Sequence, residues 1–209
     1  MVSGFVERVT EGSGSPIGPG VLVAVVGASG VGKDTLLAMA RPAFGKAEDV
    51  LFVRRTITRP PDPDGENHEA VSSTAFETRR VAGEFALAWQ AHGLSYGLPV
   101  ALDRHVARGN VAVANGSRAA LPLMVARYRN LMVVHVTARP EILAGRLAAR
   151  GRESEAAILA RLGRADAASF EAVGEAFVID NSGDPHDAAE ALVGVIRKAI
   201  ARSTVSNVV

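Results

Sequence analysis

Short apolar runs alternate along the chain with stretches whose hydrophobic positions recur at helical spacing. Val21–Val26 is an unbroken run rich in β-branched residues, the pattern of a parallel strand buried on both faces. Further strands are expected at 50–53, 111–114, 131–137 and 176–179. Helices are expected at 33–41, ended by Pro42, and at 73–81, capped by Ser72 or Ser73. Others are expected at 99–108, 119–127, 140–150, 153–171 and 185–201. Residues 85–89 and 95–96 read as short strands of a small insertion. Strands separated by helices predict an α/β domain whose parallel sheet is covered on both faces.

Gly, Ser and Pro crowd residues 1–20, which read as a flexible arm, and residues 204–209 read as a tail. Residues 21–203 then form a single domain, with additions at about 54–97 and 150–167. The 209-residue chain has no cysteine, which excludes disulfides, thiol catalysis and zinc–thiolate sites and fits a cytoplasmic setting. A formal charge of +1 gives no global attraction to nucleic acid or membrane, so neither is an expected partner. Self-association is left open.

The stretch "GASGVGKDT" follows the first buried strand and opens a helix. Gly27, Gly32 and Lys33 satisfy the spacing of a phosphate-binding loop, and this context supports the match. Backbone N–H groups of Gly27, Ala28, Ser29, Gly30, Val31 and Gly32 can surround phosphate oxygens at a helix N-terminus. Lys33 supplies a point charge to the outer phosphates and is a catalytic candidate. Most such loops place Ser or Thr where Asp34 stands. Its carboxylate is either a Mg²⁺ ligand or a charge that complements the helix dipole. Thr35 follows about 100° further round the helix.

The segment "RRTITRPPDPDGENHEA" combines Arg54, Arg55 and Arg59 with Asp62, Asp64, Glu66 and Glu69. It reads as a site for phosphates and hydroxyls or as a loop of compensating charges. Together with "GEFALAWQAHGLSYG" and "RLAARGRESEAAILARL", it follows the order found in guanylate kinases. From Val21 to about Asn181 the chain resembles that family. The resemblance implies a P-loop nucleoside-monophosphate-kinase-like three-layer α/β fold with parallel sheet, acceptor-binding insertion and lid. It also implies acceptor-phosphate roles for Arg59 and Tyr96.

Several positions depart from guanylate kinases. No second arginine precedes the Gly-Glu pair, and Leu87 stands where the family reads guanine with a glutamate. A base edge without its polar partners is discriminated against, so GMP is not the expected acceptor. The variant set "GKDT", "AHGLSYG" and "NGSRA" resembles the ribose 1,5-bisphosphate phosphokinase branch. That resemblance implies transfer of phosphate from ATP, with Mg²⁺, to make 5-phosphoribosyl 1-diphosphate in phosphonate catabolism. A nucleoside-monophosphate kinase and a binding module without activity are the alternatives.

The sugar bisphosphate asks for Arg55, Arg59 and Arg118 as phosphate ligands. Asn115, Ser117, Glu66, His68 and Glu69 are candidates for its hydroxyls. Asn115 and Ser117 could instead cap the helix expected at Ala119. His68 and His92 have no surrounding ligand pattern, so no metal is expected there. In the expected lid, Arg146 and Arg150 share one helix face, as do Arg161 and Arg164, with Arg152 between. Arg150 and Arg161 are the expected catalytic arginines and Arg146 an ATP contact. Asn181 is an adenine-side candidate by position alone.

Overall fold

In a computed structural model, residues 6–7, 15–45, 47–61, 66–149 and 175–206 are described. The elements in chain order are β1 (Val6–Glu7), β2 (Val21–Val26), α1 (Lys33–Ala40), β3 (Val50–Phe52), β4 (Thr56–Ile57) and β5 (Glu69–Ala70). They continue with α2 (Ser73–Val81), β6 (Phe85–Ala91), β7 (Leu94–Pro99), α3 (Ala101–Ala107), β8 (Val111–Asn115) and α4 (Leu121–Arg127). The rest are β9 (Leu131–Thr137), α5 (Pro140–Ala149), β10 (Glu175–Asp180) and the closing helix α6 (Pro185–Ser206).

The main sheet is parallel throughout, in the order β10-β9-β2-β8-β3. β2 lies at its centre and none of its side chains reaches solvent. Strand alternation divides them between two cores. Val21, Val23 and Val25 pack with Leu36 and Ala40 of α1 and Leu192 and Ile196 of α6. Leu22, Ala24 and Val26 pack with Leu102 and Val106 of α3 and Met124 of α4. Helices therefore cover both faces, the three-layer arrangement expected for a run of parallel strands.

A second five-stranded sheet has the order β1-β6-β7-β4-β5. β6 and β7 form an antiparallel hairpin turned at His92-Gly93. Both turn residues have positive φ, 52° and 74°, the geometry that suits a two-residue hairpin loop. β4 and β5 pair in parallel across the arginine-rich loop. Two-residue strands carry no readable period, so neither was expected. The arm was also expected to be loose, but β1 pairs with Ala88 and Trp89 of β6. Ile17 bridges to Tyr128 and exchanges backbone hydrogen bonds with Arg127 and Arg129.

Two helix expectations need correction at their starts. Pro99 ends β7 instead of opening a helix, and α3 begins at Ala101. Residues Arg118–Ala120 form a short 3-10 turn ahead of α4, whose first turn contains Pro122. The Ser72 cap is present, its hydroxyl accepting from the Ala75 N–H at 3.1 Å. The helix expected at 153–171, and with it Arg150, Arg152, Arg161 and Arg164, lies outside the described residues.

α3 and α4 are joined by a buried ionic cluster. Asp103 accepts from Arg127 Nε at 3.0 Å and from the Tyr128 hydroxyl at 2.8 Å, and pairs with Arg127 Nη2 as well. Burial, then the Asp103 charge, pushes the Tyr128 hydroxyl well above its ordinary pKa. Asp103→Ala would leave the Arg127 charge and the Tyr128 hydroxyl without this partner. Urea unfolding should show a loss of about 3–5 kcal/mol. Breaking the exposed Arg202–Glu175 pair should cost no more than about 1 kcal/mol by the same measurement.

Candidate active site

Parallel strands deliver their carboxyl ends to one edge of the main sheet, the usual position of ligand sites in such folds. β2 ends there in the glycine-rich loop, β8 in Asn115 and β10 at Asn181. The loop depends on Gly32, whose φ is 97°. A Cβ at Gly32 would land on the Asn181 amide. That amide nitrogen donates to the Val31 carbonyl at 2.8 Å, joined by Arg146 Nη1 at 3.4 Å. Asn181, 2% exposed, therefore braces the loop from behind. Its Oδ1 is buried and has no hydrogen-bond partner among the described residues.

Lys33 begins α1 and curls back over the loop. Its ammonium donates to the carbonyls of Gly27 and Ala28, both at 2.9 Å. Burial lowers its pKa from 10.5 to about 8; Arg55 and Arg118 act in the same direction, while Asp34 and Glu66 oppose them. Asp34 extends toward β8, where the Asn115 amide nitrogen donates to its carboxylate. Burial, then the nearby Glu66 charge, raises the Asp34 pKa, against the pull of Arg55, Lys33 and Asn115. Thr35, next along the helix, is exposed.

Across from the loop, β4 and the hairpin carry the acceptor candidates. Arg55 is buried and grips Glu66 with two parallel hydrogen bonds of 2.5 Å. The Arg55 guanidinium lies over the Tyr96 ring, 5.2 Å from its centroid. Tyr96 stacks in turn on Trp89, with ring centroids 5.4 Å apart and planes 9° apart. Arg59 Nη2 stands 4.0 Å from the same Glu66 carboxylate. Arg59 Nε is buried without a hydrogen-bond partner among the described residues.

The structure separates the remaining candidates by what they touch. His68 directs its two ring nitrogens at the carbonyls of Glu66 (2.9 Å) and Arg59 (3.1 Å), so it shapes the loop. Arg54 Nη2 donates to the His68 carbonyl at 3.0 Å. Glu69 takes the Thr56 hydroxyl at 2.9 Å and pairs with Arg79 at 2.8 Å, which engages it on β5 and α2. Hydrogen bonding to Arg79 lowers its pKa below the ordinary value. Ser117 opens the 3-10 turn without a side-chain capping bond, and both Ser117 Oγ and Asn115 Oδ1 are buried and unpartnered among the described residues. Neither residue is the helix cap that the sequence also allowed.

The Asp34–Asn115 contact, across 81 positions, and the Trp89 support for Tyr96 were not anticipated. The second had a signal in the sequence: a hairpin turned at His92-Gly93 places Trp89 opposite Tyr96. Chemically, the edge combines backbone donors, the Lys33 ammonium, the guanidinium groups of Arg55, Arg59, Arg118 and Arg146, and the carboxyl groups of Asp34 and Glu66. It suits a ligand rich in phosphate.

The lowered Lys33 pKa has opposite consequences for binding and folding. Above about 8 the free protein loses the Lys33 charge, and a bound phosphate ligand can restore it only if Lys33 takes up a proton. Affinity for a phosphate-rich ligand such as pyrophosphate should therefore fall as pH rises past about 8, and Lys33→Met should remove that pH dependence in calorimetry. The unfolded chain retains this proton up to 10.5, so between about 8 and 10.5 the Lys33 contribution to stability rises with pH.

No protein-family model matches the chain. The ribose 1,5-bisphosphate phosphokinase PhnN of Chelativorans sp. (strain BNC1) is 45% identical over 210 residues, covering 100% of both chains. The protein of that name from Pseudofrankia inefficax is 50% identical over 184 residues, 88% of this chain and 94% of its own. That of Agrobacterium fabrum is 45% identical over 184 residues, 87% of this chain and 99% of its own. A guanylate kinase from Anaplasma phagocytophilum has a TM-score of 0.61 at 16% identity over 87% of each chain, a likeness of fold alone. The fold is thus that of the P-loop nucleoside-monophosphate kinases, and with relatives this similar across nearly their whole length, the chain belongs to the ribose 1,5-bisphosphate phosphokinase family.

Proposed function

We propose that this protein transfers the γ-phosphoryl group of ATP to ribose 1,5-bisphosphate, releasing ADP and 5-phosphoribosyl 1-diphosphate. The bond between the γ-phosphorus and the β–γ bridging oxygen breaks, and one forms to an oxygen of the 1-phosphate. The observation that carries this reading is a glycine-rich loop facing two arginines, with no base reader at Leu87. Leu87 is wholly buried in the core beneath the second sheet. The similarity to curated ribose 1,5-bisphosphate phosphokinases supports the same reading. A charged sugar phosphate and ATP suit a cytoplasmic role, in phosphonate catabolism.

In this reading, backbone N–H groups of residues 27–32 bind the ATP phosphates, and Lys33 leaves its two carbonyls to pair with them. Arg55, Arg59 and Arg118 bind acceptor phosphate, and Tyr96 supports Arg55 from below. Asn115 and Ser117 offer unpartnered polar atoms to the sugar hydroxyls. The acceptor is a phosphate oxygen already ionised near neutral pH, so alignment and charge stabilisation suffice without a general base. Arg146 donates to the Val31 carbonyl of the loop, which supports its reading as an ATP contact.

The residues present fit Mg²⁺ carried with ATP. Asp34 is a hard oxygen donor whose ionisation a cation would favour. Among the described residues no group of three or more His, Cys, Asp or Glu could hold a metal. That matches an ion coordinated largely by substrate phosphates and water. When bound, Mg²⁺ supplies positive charge to the transferring phosphoryl group.

Coupled assays offering ribose 1,5-bisphosphate and GMP separately test the proposal: turnover is expected with the sugar, and efficient GMP turnover without sugar turnover overturns it. Arg59→Ala should raise the acceptor KM by about 10- to 100-fold while ATP binding barely changes. Unchanged acceptor kinetics would remove Arg59 from the site. Asp34→Asn should weaken the Mg²⁺ dependence of ATP binding in calorimetry without loss of fold; an unchanged dependence would leave Asp34 as a helix-end charge.

A further inference from the structure

Glu66 was expected to address a substrate hydroxyl, yet both its oxygens are engaged by Arg55. That guanidinium fork meets the two carboxylate oxygens as it would meet two oxygens of a phosphate. The second arginine, Arg59, stands 4.0 Å from the same carboxylate and keeps a buried Nε unpartnered among the described residues. Lys33 feels the Glu66 charge across the cleft. The Arg55 and Glu66 side chains are only 8% and 11% exposed, so neither is solvated as a free ion would be. One carboxylate therefore sits between Arg55 and Arg59, two of the three arginines assigned above to the acceptor.

We propose that the Glu66 carboxylate holds the place of an acceptor phosphate between Arg55 and Arg59, and that a dianionic phosphate displaces it. The inference rests on the acceptor role given above to these two arginines. A buried ion pair is close to energetically neutral, because desolvation offsets the attraction. Exchange is correspondingly cheap: the carboxylate regains hydration as it leaves, and the entering phosphate brings two charges where one stood. A singly charged anion gains nothing over Glu66, so the residue determines specificity by the charge of the entering group. Until then it keeps Arg55 seated on Tyr96 in the orientation that phosphate needs.

Inorganic phosphate is titrated against wild type and Glu66→Gln, with the glycine-rich loop filled by saturating ADP. Binding and the thermal midpoint are both followed. Without phosphate the variant's midpoint should fall, because Arg55 loses its counter-charge. Phosphate should restore it and bind at least about tenfold tighter than to wild type, the worth of one charge-assisted contact. Adding Arg55→Met to Glu66→Gln should abolish that gain. An affinity unchanged or weakened in Glu66→Gln overturns the inference, as does a gain that survives loss of Arg55. If Glu66→Gln does not fold, Glu66→Asp, too short to meet both fork nitrogens, enters the same titration. Wild-type turnover of ribose 1,5-bisphosphate is measured alongside; its absence overturns the function proposed above, while the phosphate titration still decides the role of Glu66.

Discussion

The whole site depends on the burial of β2. Its side chains are shielded on both faces and its backbone is paired on both edges, with β8 and β9. Such a strand cannot shift without disturbing two cores at once, because packed interiors do not deform continuously. The loop that follows inherits this fixed starting point. Asn181, from the far side of the sheet, then fixes its middle at Val31. The loop is thus held in place without a ligand, which would lower the ordering cost of the phosphate binding proposed for it.

Electrostatics in the cleft follow from the same rigidity. Arg55 and Glu66 stand close enough to Lys33 and Asp34 to act on both their charges, and burial strengthens those interactions. Each charge has a local answer: carbonyls for Lys33, an amide for Asp34, a carboxylate for Arg55. The free cleft is therefore balanced. In the proposed function, ligand phosphates enter by exchanging partners, so an empty set of cations does not have to be maintained.

The main sheet was legible because its strands are apolar and strand-length, and the helices between them leave few topologies. The loop was legible because Gly27, Gly32 and Lys33 keep a fixed local spacing. Pairings between distant residues were not. Asp34 with Asn115 depends on how β8 aligns beside β2, and Arg55 with Glu66 on how the arginine-rich loop folds back, and no local pattern records either. Two-residue strands such as β4 and β5 carry too little periodicity to be seen, although they set where Arg55 points. A composition rich in Gly, Ser and Pro described the arm as loose, yet a few backbone hydrogen bonds suffice to pair part of it.

The column of Trp89, Tyr96 and Arg55 has a spectroscopic consequence. Trp89 is the chain's single tryptophan, shielded from water and stacked on a ring that carries a guanidinium group. Its emission reports from one end of that column while Arg55, proposed above to bind the acceptor, occupies the other. The fold thus has its own fluorophore beside Arg55, free of overlapping signal from any second indole.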